Sequence, residues 1–110
     1  MSTLFVGIDI GAEQNTAHFM TQDGASVGRL TFANNLDGAH QLIQHVCDAM
    51  HALGADAVRM GMEATGLYWW HLYHVIVEAP QFADVDMKTA VVNPKVVSGF
   101  KGIYTDVPKT

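Results

Sequence analysis

Two acids stand at the ends of apolar runs, where a carboxylate is most able to do chemistry. Asp9 sits between Ile8 and Ile10 in "FVGIDIG", and Glu63 directly follows "RMGM". A carboxylate among aliphatic side chains is costly unless a cation or strong donors compensate it. Two carboxylates held close repel each other unless a proton or a cation lies between them. Oxygen-only ligation of this kind favours magnesium or manganese. Asp9 and Glu63 are therefore the candidate metal ligands and catalytic acids. The plainer alternative is that Asp9 ends a strand in solvent and Glu63 is a surface acid at a turn. Sequence spacing alone does not decide between them.

The elements that would bring the acids together can be read from periodicity. Residues 4–10 (LFVGIDI) predict a buried strand with no polar alternation before Asp9. Residues 16–22 and 27–33 predict two more strands, joined through the hairpin signal Asp23-Gly24. The period then changes. Leu42, Ile43, Val46, Cys47, Met50 and Leu53 form one helical stripe, with Asn34 or Asn35 available as its cap, Asp37 in its first turn and Gly54 as its stop. "DAVRMGM" predicts a fourth strand. A second helix is expected from about Gly66 to Ala79, capped by Thr65 and ended by Pro80. "DMKTAVVN" predicts a fifth strand, and Asn93-Pro94 opens a third helix.

The order β-β-β-α-β-α-β-α implies an α/β fold with a mixed sheet and helices on both faces. This is the order of the ribonuclease-H-like fold, which nucleases, recombinases and actin-like ATPases share, so the fold alone does not choose a function. In it strand 1 is central and strand 4 lies parallel beside it, about 4.8 Å away. Asp9 and Glu63 would then meet at the carboxyl ends of neighbouring strands, where open α/β sheets place their sites. The positive end of the second helix, which starts just after Glu63, would favour the ionised carboxylate.

Composition narrows the setting. A chain of 110 residues is a single domain that can bury roughly two thirds of its unfolded surface. With 49% apolar and 15% charged residues, a packed core is expected rather than disorder. Cys47 is the only cysteine, which excludes an internal disulfide and a multi-cysteine zinc site and fits a reducing, cytoplasmic setting. The first apolar stretch is too short for a membrane span and has no basic leader. A net charge of −5 argues against a general nucleic-acid binder. The charge is uneven, however. Residues 1–87 hold two basic and ten acidic side chains, while residues 88–110 hold four lysines against Asp106 alone.

Other residues have two readings each. His71 and His74, three apart on the second helix, have the spacing of metal ligands, but beside Trp69, Trp70 and Tyr73 they read better as packing residues or polar edges. His40, His45 and His51 point in different directions on a helix and read as solvated. Cys47 reads as a small core residue. Trp69 and Trp70 are adjacent, so one must face away from the core; that ring is a candidate base-stacking platform or, preferably, a contact with another domain or protomer. Lys95 and Lys101 flank the third helix and are candidate phosphate contacts, against the simpler reading of a solvated face.

Several phrases occur together in order: "FVGIDI", "NNLDGAHQL", "MEATGLYWWHL", "VVNPKVVSGF" and "YTDVPKT". Along almost its whole length the chain resembles the N-terminal, RuvC-like domain of bacterial insertion-sequence transposases of the DEDD type, relatives of the Piv and MooV DNA invertases. "EATG" followed by an aromatic residue, with "NP" about thirty residues later, is the more specific part of the match. The resemblance implies four metal-binding acids, of which Asp9 is the first and Glu63 the second. It also implies DNA as substrate, a separate C-terminal domain with a nucleophilic serine, a homo-oligomer and, in some members, a guiding noncoding RNA. The chain departs from the pattern at its end. It stops at Lys109-Thr110, where the third acid would be next, and Asp106 does not fit because Lys109 lies three residues beyond it. The chain thus reads as residues 1–110 of a longer recombinase, ending before its third and fourth acids and inactive alone. Two rivals stand beside this. One is an actin-like ATPase or sugar-kinase fragment, although "DIGAEQN" lacks the Ser/Thr-rich turn usual there. The other is a non-catalytic oligomerisation module built on the aromatic second helix.

Overall fold

The computed structural model describes residues 2–63 and 68–92. Its strands are β1 (Thr3–Asp9), β2 (Gln14–Met20), β3 (Ser26–Ala33), β4 (Ala57–Glu63) and β5 (Asp86–Val92). They form one mixed sheet in the order β3-β2-β1-β4-β5. β1 is central, antiparallel to β2 and parallel to β4, and β5 continues the parallel half. The α/β mixed sheet expected from the sequence is therefore present. The third helix, expected from Asn93, lies outside the described residues, as do Lys95, Lys101 and Asp106.

Alternation along β1 explains where the core sits. Leu4, Val6, Ile8 and Ile10 share one face with Ala17 and Phe19 of β2 and with Val58, Met60 and Met62 of β4, all buried. Helix α1 (Leu36–Leu53) covers that face with Ala39, Leu42, Ile43, Val46 and Met50, and helix α2 (Trp69–Val77) adds Leu72 and Ile76 to the same cluster. Each of the valine, leucine, isoleucine, phenylalanine and methionine side chains among them, fully buried, stabilises the fold by roughly 1.5–3 kcal/mol. Cys47 is half-buried at the edge of this stripe. Among the described residues no helix is long and apolar enough to cross a membrane.

The ends of the elements follow local chemistry. Asn35, not Asn34, caps α1: its side chain accepts the Gly38 N–H at 2.8 Å. Gly54, at φ 66°, ends the helix in the left-handed region that favours glycine, and its N–H donates to the His51 carbonyl. α2 is shorter than the sequence suggests. Ala79 is extended (φ −66°, ψ 124°) because the residue before a proline is driven out of the helical region, and Pro80–Phe82 makes a single 3-10 turn. Thr65, expected as the cap of α2, lies outside the described residues, and the helix runs from Trp69 with no side-chain cap at Tyr68. β2 also begins and ends two residues before its expected bounds of 16–22.

Candidate active site

Asp9 and Glu63 are the last residues of β1 and β4. The parallel ladder pairs Gly7 with Gly61 and Ile8 with Met62, so the two acids lie one residue beyond its last rung. Adjacent strands place such neighbours about 5 Å apart between backbones. Alternation turns both side chains to the face opposite Ile8 and Met62. Asp9 is thus not buried between its isoleucines: they point into the core, while its side chain keeps 56% of its exposure. Glu63 is half-buried, with no ion-pair or hydrogen-bond partner among the described residues.

A third group joins them from β2. His18 pairs with Gly7, so its side chain rises on the acids' face, and its Nε2 lies 3.7 Å from Asp9 Oδ2. Gly7 and Gly61, side by side below the acids, present no side chains there. On β3, Arg29 lies directly opposite His18, exposed and without an ion pair among the described residues. The other arginine, Arg59, is occupied. It donates to the Asp86 carbonyl at 2.8 Å and to the Asp86 carboxylate at 3.1 Å, joining β4 to β5 at the far end of the sheet.

The turn that carries the chain away from Asp9 is held by two asparagines. Asn15 is buried, and its Oδ1 accepts the Gly11 N–H at 3.0 Å, while its Nδ2 has no partner. Asn34 uses its backbone N–H on the Glu13 carbonyl at 2.8 Å and its side-chain Nδ2 on the Gly11 carbonyl at 2.8 Å. Space is tight here, for a Cβ on Gly11 would lie 2.5 Å from the Gln14 carbonyl oxygen. No motif marks His18 or Asn15, and Asn34 stands in the phrase "NNLDGAHQL" only as a candidate helix cap. The available signal was the strand register, which sets Gly7 beside His18.

The remaining candidates lie elsewhere. Trp69 packs against the core, and Trp70 is the ring turned outward, 56% exposed. Trp70 stacks on His74 with centroids 4.3 Å apart, and His74 Nδ1 lies 3.8 Å from Glu78 Oε2. His71 is exposed, so the two histidines act as edges of an aromatic helix. His45, read as solvated, is exposed but rests its ring 5.1 Å from that of Phe19. A cleft of about 230 Å³ between α1 and the end of α2, lined by His40, Ile43, Val75 and Glu78, opens on the helical side, away from the acids.

The acids can be tested as ligands of a divalent ion on the donors alone. Asp9 and Glu63 supply hard oxygen donors on one face of the sheet. They fit a magnesium-type ion that keeps several waters or phosphate oxygens. Among the described residues there is no group of three or more His, Cys, Asp or Glu that could hold a metal ion.

A family model described as a transposase, of the DEDD IS110 type, matches residues 6–110. No curated protein matches the chain by sequence. Among solved structures it is similar to the type II variant of the Ppx/GppA phosphatase of Aquifex aeolicus, at 10% identity over 86% of this chain and 36% of that one, with a TM-score of 0.48. A second structure of the Aquifex aeolicus Ppx/GppA family member gives 14% identity, the same coverages and a TM-score of 0.46. A foamy viral protease-reverse transcriptase in complex with an RNA/DNA hybrid gives 8% identity over 84% of this chain and 15% of that one, with a TM-score of 0.46. The chain spans 36% or less of the length of these solved proteins.

Proposed function

The chain belongs to the DEDD transposase family of the IS110 type, and from that premise we propose that its 110 residues are the RuvC-like part of a DNA recombinase in which Asp9 and Glu63 are the first two of four metal-binding acids. One observation carries the reading. Asp9 and Glu63 end adjacent parallel strands, one residue beyond the last shared rung and on the same face of the sheet. A bound magnesium or manganese ion would activate the attacking oxygen and stabilise the leaving oxygen of a DNA phosphodiester. The chain's own part is to hold two carboxylates at the tip of a rigid sheet. His18 stands beside the Asp9 side chain on the β2 side, with its Nε2 3.7 Å from Asp9 Oδ2.

The substrate in this reading is DNA at the ends and target of an insertion sequence, in the cytoplasm. A guide RNA and a homo-oligomer follow from the same family likeness, with Trp69 and Trp70 as the contact for another domain or protomer and Lys95 and Lys101 as phosphate contacts. With only the first two of the four acids that the family likeness implies, the 110-residue chain is expected to bind a metal ion weakly and to leave DNA uncut. Two measurements check this. Manganese uptake, followed by loss of the free-ion electron paramagnetic resonance signal, should fall in Asp9→Asn and in Glu63→Gln; uptake indifferent to both would remove the site. Incubation of the chain with supercoiled DNA and magnesium should give no nicking, and nicking abolished by Asp9→Asn would overturn the need for further acids.

A further inference from the structure

Asn34 sits between the two acid-bearing segments. Its Nδ2 donates to the Gly11 carbonyl at 2.8 Å, two residues after Asp9, and to the Tyr68 carbonyl at 3.2 Å, five residues after Glu63. A side-chain amide nitrogen has two hydrogens, and Asn34 spends one on each segment. Its backbone N–H, on the Glu13 carbonyl at 2.8 Å, fixes Asn34 itself to the same turn. The turn has little freedom of its own, since Asn15 holds the Gly11 N–H and Gly11 is closed in by the Gln14 carbonyl. The neighbouring Asn35 does a separate task as the cap of α1.

We infer that Asn34 is a positioning residue, whose amide sets the spacing of Asp9 and Glu63 by tying the turn after the first acid to the start of the helix after the second. This rests on the reading of Asp9 and Glu63 as metal ligands. Pairing between β1 and β4 ends at Ile8 and Met62, while Asp9 is still paired outward with Thr16 and Glu63 with Val92. Beyond that last shared rung, Asn34 joins the segment that follows Asp9 to the one that follows Glu63. Groups of this kind act on a metal through its ligands, and their loss typically lowers metal affinity about 10- to 100-fold.

The test compares manganese affinity of the 110-residue chain by electron paramagnetic resonance for the unaltered protein, Asp9→Asn, Asn34→Ala, Asn34→Asp and Asn35→Ala. Asn34→Asp keeps the shape and removes both donated hydrogens. Asn35→Ala is the control for stability, because it removes a cap one residue away without touching either acid's segment. The expected result is uptake lost in Asp9→Asn, weakened at least about tenfold in both Asn34 variants, and unchanged in Asn35→Ala despite a lower melting temperature. If Asn34→Ala does not fold, Asn34→Ser, which keeps one donor, takes its place. Uptake that Asp9→Asn removes but the Asn34 variants leave intact would overturn the positioning role while the metal reading stands. Equal losses in the Asn34 and Asn35 variants would overturn it too, as an effect of stability alone. Absence of any uptake sensitive to Asp9→Asn would remove the metal reading and the positioning role together.

Discussion

Burial and a neighbouring acid act together on Cys47. Withdrawal of the thiol from water, and secondarily the Asp48 carboxylate beside it, push its pKa above the ordinary thiol value. The neutral thiol is therefore favoured and little thiolate is present near pH 7. Alkylation by iodoacetamide at that pH should be slower in the folded chain than in urea, and its onset should move to higher pH. Asp48→Asn should bring the onset part of the way back. Because the folded thiol holds its proton more tightly than the unfolded one, the stability it contributes is whole below the unfolded pKa. That contribution drains away as pH rises from there through the raised folded value. A folded thiol that reacts as fast as the unfolded one would contradict its burial. At this scale the sequence was partly legible. Cys47 could be placed at the core by its position in an apolar stripe, and the two acids by their position at strand ends. His18 could not be placed beside Asp9, because a cross-strand neighbour depends on register, which the turn sets and no motif announces.

The first turn of α1 shows how an element can reverse an ordinary propensity. Glycine inside a helix is usually about 0.8–1.0 kcal/mol worse than alanine, so Gly38→Ala would be expected to stabilise α1. Here Gly38 is buried against the end of β3, and a Cβ there would collide with the Ala33 carbonyl oxygen and with the backbone around it. Backbone cannot step aside as a long side chain does. Gly38→Ala should therefore destabilise the chain, by roughly 1–3 kcal/mol as overpacking commonly does. Urea unfolding monitored by circular dichroism would measure it, and a higher midpoint would show that the helix can shift away from β3. The sequence marked this helix well at both ends but gave no sign that its third residue needed glycine, since close approach belongs to tertiary packing. The strands make a related point. β2 was expected two residues late, because its ends are set by pairing with β1 and β3 rather than by the residues of the strand itself. α2 was read too long because helical periodicity continues to Ala79, whereas the proline at 80 had already turned Ala79 to extended backbone.

For the molecule as a whole, the proposed reading as part of a DNA recombinase makes charge the control on how DNA approaches. The net charge is −5, with ten acids against two arginines before Lys88, and one of those arginines is held by Asp86. The tip of the sheet that carries Asp9 and Glu63 repels phosphate until a cation covers it. Divalent ions compete with a basic protein for DNA phosphates and so ordinarily weaken binding. This chain should behave in the opposite way. At constant ionic strength, magnesium should raise its affinity for a fluorescent oligonucleotide above that in EDTA, read by anisotropy. Asp9→Asn should bind better than the unaltered chain in EDTA, having lost a repelling charge, and should lose most of the response to magnesium. Arg29 stands two strands from Asp9, about 10 Å away by strand spacing, which is within reach of the phosphates next to the one at the acids. Arg29→Gln should therefore lower the slope of log affinity against log salt by about 0.7–0.9, the loss of one phosphate contact. The equally exposed Lys88, at the opposite end of the sheet, should leave that slope unchanged when replaced by glutamine. Magnesium weakening the binding of the unaltered chain and of Asp9→Asn alike would mean that the acids do not face the DNA.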